Sequence, residues 1–110
     1  YSATKDSTEY IKNKGLGLGI LRNSNYAQHI ETHTRTYNNK DIILLYTDGL
    51  VEAKNNKNEE YGYENVYKNT QKSTNHSPVE IVKHSIEAMY EFCGDIVPED
   101  DITCLCIKFN

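Results

Sequence analysis

Three carboxylates sit where two apolar runs meet polar sequence. Asp48 lies two residues past the run 42–46 (IILLY), and Asp100 and Asp101 immediately precede the run 102–109. If these runs are antiparallel neighbouring strands, the end of one lies beside the start of the other. The acids then gather at one edge of a sheet. Carboxylates held together repel, each raising its neighbour's pKa, and a hard divalent cation with oxygen ligands removes that cost. The spacing is therefore a metal-site hypothesis. A plainer reading stands beside it, because Asp-Gly after a strand is a common turn and Glu99-Asp100-Asp101 also reads as a solvated loop.

The elements that must position these acids can be read along the chain. Residues 8–12 (TEYIK) read as a short strand, and the alternating glycines of 15–19 (GLGLG) as a bend. In residues 28–37 Ile30, Thr32, Thr34 and Thr36 alternate with His29, Glu31, His33 and Arg35, which predicts a half-exposed strand. Residues 38–41 form a turn, so that strand and the next are expected to pair as a hairpin. The continuous run 42–46 predicts a strand buried on both faces. A helical turn over 50–54 and a polar loop over 55–60 follow, and Tyr63, Val66, Tyr67 and Thr70 have helical spacing.

The clearest helix starts at Ser77, which can cap it. Pro78 suits the first helical position, and Glu80 completes a capping box. Val79, Val82, Ile86, Met89, Tyr90 and Cys93 predict its apolar stripe, and Gly94 its end. An acidic loop over 95–101 leads to a last buried strand, 102–109. The fold class is α+β in one domain.

Composition narrows the function. Among 110 residues, 16 acidic against 12 basic give a net charge of −4, with no basic cluster to displace counterions from nucleic acid. Mean hydropathy is −0.72, so a core must come from the few apolar runs. None approaches the roughly 20 residues needed to span a bilayer, and no secretory leader is evident. A first residue of Tyr rather than Met predicts a piece of something longer. Cys104 and Cys106 share a strand face about 6.6 Å apart along the chain, too far for easy disulfide geometry. With Cys93 they read as reduced core residues of a cytoplasmic protein.

Other patterns carry less. Gly15, Gly17 and Gly19 lack the Gly-Lys-Ser/Thr of a phosphate loop. On a strand, His29 and His33 lie about 13 Å apart and cannot share an ion. His29, His76 and His84 read as solvated residues. The nine tyrosines lack interleaved basic residues and read as core-edge packing rather than base-stacking platforms. The loop NNKNEEYG lacks the ligand order of a calcium loop.

Four segments resemble, in order, those of the bacterial PPM-type serine/threonine phosphatases of the SpoIIE-like and RsbU-like branch. They are GLGLGI (15–20), DIILLYTDGLVEAKN (41–55), EEYGYENV (59–66) and DDITCLCIK (100–108). Together they span most of the chain.

The resemblance implies that Asp48 and Asp100 bind catalytic metals, Mn2+ or Mg2+, two ions in a complete domain. It implies more weakly that Glu52 helps hold a further ion and that Asp101 orders its loop or contributes to the site. Gly49 would let the chain turn beside the ions. The fold implied is the C-terminal part of a β-sandwich flanked by helices. The early bridging aspartate and its D-x-x-G-H-G-type motif are not found here, so 1–110 is expected to be a partial domain, inactive by itself.

In the complete domain, hydroxide generated by the ions would attack a phosphoserine or phosphothreonine. The implied substrate is a phosphorylated bacterial signalling protein of the anti-sigma-factor-antagonist type. A partial domain with uncovered sheet edges is also expected to pair as a homodimer. The rival reading is a non-catalytic interaction module on a degenerate phosphatase fold.

Overall fold

The computed structural model describes residues 1–12, 14–21 and 24–110. Among them are a short 3-10 turn (Ser24–His29), strand β1 (Ile42–Tyr46), helix α1 (Asp48–Glu52), helix α2 (Gly62–Lys72), helix α3 (Pro78–Cys93) and strand β2 (Cys104–Lys108). Helices and a two-stranded antiparallel sheet make the architecture α+β.

Helix α3 is specified locally. Ser77 Oγ accepts the Glu80 backbone N–H at 3.4 Å, while Glu80 Oε2 accepts the Ser77 N–H at 2.8 Å and its hydroxyl at 2.7 Å. Both halves of the predicted capping box are present. Gly94, at φ 61°, closes the helix by donating its N–H to the Tyr90 carbonyl at 3.0 Å. The buried face is Ile81, Ser85, Met89 and Cys93, which corrects the predicted stripe. Val79 is 77% and Tyr90 52% exposed. Ser85 tolerates burial because its hydroxyl donates to the Ile81 carbonyl at 2.8 Å.

β1 and β2 pair antiparallel in register from Ile42↔Lys108 to Tyr46↔Cys104. Directly opposed residues share a face. Leu44 and Tyr46 turn inward to pack on the core built from Leu50, Val51, Ala53, Tyr61, Val66, Met89 and Cys93. The opposite face carries Ile43, Leu45, Leu105 and Ile107, exposed by 40, 52, 53 and 41%. The continuous apolar run is therefore not buried on both faces, because α3 covers only one of them. Cys104 and Cys106 are half-buried and Cys93 buried, all three as free thiols. Burial pushes all three upward, Cys104 to about 11.

Residues 8–12 and 28–37 are not strands, and the expected hairpin with β1 does not form. The neighbour of β1 is β2. On its other edge, Ile42 exchanges backbone hydrogen bonds with Tyr1 at 2.8 and 3.0 Å. The turn before β1 does form: Asp41 donates its N–H to the Asn38 carbonyl at 3.1 Å. The Asp41 carboxylate accepts the N–H groups of Ala3 at 2.7 Å and Asn38 at 2.8 Å. No helix among the described residues is long and apolar enough to cross a membrane.

Candidate metal centre

The junction between β1 and α1 is stitched to the loop before β2. Thr47 donates its N–H to the Thr103 carbonyl at 3.1 Å and its hydroxyl to the Asp101 carbonyl at 3.2 Å, and its Oγ1 accepts the Thr103 N–H at 3.0 Å. Next door, Gly49 is buried, and a β-carbon on it would lie 2.6 Å from the Asp101 carbonyl oxygen. Only glycine permits that approach. Leu50, fully buried, anchors α1 into the core.

These contacts bring the Asp48 segment and the Asp100-Asp101 segment to the same end of the sheet. Asp48 opens α1, and its Oδ1 accepts the Gly49 N–H at 3.1 Å. Asp100 Oδ1 accepts the Asp101 N–H at 2.8 Å. Both side chains remain solvent-accessible. Glu52 follows Asp48 by four residues on α1, hence on the same helix face.

Glu52, Glu60, Glu99 and Asp100 line one cleft with Gly49, while Asp100 and Asp101 line an adjoining groove with Ile86 and Tyr90. Asp100 lines both, as do Val97 and Pro98, whereas Asp48 lines neither. Among the described residues no three His, Cys, Asp or Glu side chains are disposed to hold a metal ion.

The donors nonetheless suit a hard cation in kind. Mg2+ and similar ions prefer carboxylate oxygen and are held by one or two carboxylates, with water and substrate phosphate completing the shell. Asp48 and Asp100 supply donors of that kind on two segments at one end of the sheet.

Tyr63 adjoins two of the acids, although the sequence placed it only in a helical pattern. The Tyr10 and Tyr63 rings lie 4.8 Å apart at 46°. The Tyr63 phenol is pushed above its ordinary pKa first by its hydrogen bond with Tyr10, and further by neighbouring charge that includes Glu52 and Asp48. Burial pushes Tyr46 up to about 12, and its hydroxyl is hidden with no hydrogen-bond partner. The available signal for Tyr63 was its place in the acidic-aromatic-glycine segment after Asp48.

The protein family described as Stage II sporulation protein E (SpoIIE) matches residues 1–110. The chain belongs to this family. No curated protein and no solved structure matches it. SpoIIE is a phosphatase family, so at the coarse level this is a phosphatase-related domain of hydrolase type from sporulation-type signalling. Within this SpoIIE-family chain, the segment following β1 and the segment preceding β2 are the candidate centre.

Proposed function

We propose that this SpoIIE-family chain is part of a metal-dependent protein serine/threonine phosphatase, with Asp48 and Asp100 as ligands of Mn2+ or Mg2+. One observation carries the reading: Thr47 and Gly49 lock the Asp48 segment against the backbone of Asp101, so that two acidic segments share one sheet end. Glu52 extends the acidic face, and Asp101 serves through its backbone as much as through its carboxylate. When bound, the divalent ions supply acidification of the attacking water and charge compensation for the phosphoryl oxygens.

The chain's own residues do the positioning. Thr47 fixes the angle at which the chain leaves β1, Leu50 holds α1 down, and Gly49 keeps the two segments within backbone contact. The Tyr63 phenol, hydrogen-bonded with Tyr10, places a neutral hydroxyl near Glu52 and Asp48. The substrate we propose is phosphoserine or phosphothreonine on a bacterial signalling protein of the anti-sigma-factor-antagonist type, in the cytoplasm. The partial ligand set argues that 1–110 is inactive alone. A second copy of the chain is the partner proposed for the exposed sheet face.

The test is turnover of a phosphoserine protein by the intact polypeptide that carries this chain, with Mn2+ present. Asp48→Asn or Asp100→Asn should each lower turnover by more than about 100-fold, above the range typical of outer-shell changes. Unchanged turnover in either variant removes that residue from the site. The lack of a three-donor cluster among the described residues favours one second reading, a non-catalytic interaction module. Partner binding by the intact polypeptide, with no turnover in either Mn2+ or Mg2+, would favour that reading over the catalytic one.

A further inference from the structure

His76 and His84 are not the solvated residues their sequence context implied. Both are half-buried, and their rings meet edge to face with centroids 4.6 Å apart. His76 directly precedes the capping Ser77, while His84 lies two turns along from it on α3. The Nε2 of His76 is buried and has no hydrogen-bond partner. A buried polar atom left unpaired costs free energy that a ligand can recover.

The surroundings hold this pair in place. Lys108 Nζ donates to the carbonyls of Thr74 and His76, each at 2.8 Å, which fixes the loop carrying His76. Glu80 lies four residues from each histidine, on the same face of α3 as His84. Its Oε2 is engaged by Ser77, and its charge is drawn to both imidazoles.

We infer that His76 and His84 form a two-imidazole site for a borderline transition-metal ion of the Zn2+, Ni2+ or Cu2+ type, with Glu80 as a flanking anion. Only two protein side chains ligate, so water completes the coordination. Imidazole nitrogen suits these ions, whereas carboxylate oxygen suits Mg2+ and Mn2+. This site is therefore chemically separate from the acidic centre, and its presence does not depend on the phosphatase reading.

The test is a Zn2+ titration of the intact polypeptide followed by NMR of the histidine rings. Zn2+ should shift the ring resonances of His76 and His84 together, saturating at one ion, and leave those of His29 and His33 in place. The shifts should weaken progressively as the solution is acidified, because protons compete with Zn2+ for the ring nitrogens. His84→Gln should weaken Zn2+ binding at this site by at least about 10-fold, the lower end of what outer-shell losses cost. Absence of ring shifts in the wild type, shifts at His29 or His33 instead, or affinity unchanged by His84→Gln would each overturn the site. The wild-type spectra decide the matter even if the variant fails to fold.

Discussion

Gly49 and Asp101 approach so closely that a methyl group on the one would meet the carbonyl oxygen of the other at 2.6 Å. The obstacle is backbone on a loop tied down by Thr47, so it cannot swing aside as a side-chain tip could. Gly49→Ala should destabilise the fold by about 1–3 kcal/mol, the usual cost of overpacking. It should also prise the Asp48 segment away from the Asp100 segment. Urea denaturation measures the first effect. The second would appear as weakened Mn2+ binding in the intact polypeptide.

Leu50 sits two residues beyond Asp48 and is completely buried. Leu50→Ala should cost about 2–5 kcal/mol, a large part of the 5–15 kcal/mol typical of a folded domain. Thermal unfolding followed by circular dichroism checks this. A loss below 1 kcal/mol would mean that α1 is not anchored as described.

The capping box makes a stability prediction with a definite pH sign. The Ser77 side chain and then its N–H hold the Glu80 carboxyl below its ordinary pKa. A depressed folded pKa means that the contribution is complete above the unfolded value, near 4.3, and is lost as pH falls through the folded one. Asp41 acts in the same direction, lowered by the N–H groups of Asn38 and Ala3. Ser77→Ala should cost about 1 kcal/mol near neutral pH. Glu80→Gln should flatten part of the stability loss on acidification. Equal acid sensitivity in wild type and Glu80→Gln would contradict the assignment.

Ile43, Leu45, Leu105 and Ile107 form a contiguous apolar face open to solvent. Faces of this kind recruit a covering surface. The chain by itself should self-associate in light scattering as concentration rises, and Leu45→Glu combined with Leu105→Glu should shift it toward monomer. A monomer at every concentration would exclude the homodimer.

Local rules were legible in the sequence. Ser77, Pro78, Glu80 and Gly94 define α3 through contacts within a few residues, and β1 has the bounds that its apolar run gives. The alternation of 28–37 misled because alternation describes a surface that can pair, while pairing requires a partner edge. β1 offers one edge to β2, and its other edge meets Tyr1 at Ile42. Ile81 escaped notice because Val79 and Val82 flank it on either side; which of three neighbouring apolar residues faces inward is decided by the sheet. Placement of Asp48 beside the Asp100 loop could be anticipated from strand order alone. The nearness of Tyr10 and Tyr63, and of His76 and His84, could not, since tertiary packing brings each pair together.

The pairing of β1 with β2 has a kinetic corollary. α3 can nucleate from its own caps, whereas β1 must find β2 across the whole intervening chain, and closing that loop is entropically costly. The acidic segments are therefore expected to come together late in folding. A cation gripped by both would strengthen contacts absent from the transition state, slowing unfolding while leaving the refolding rate nearly unchanged.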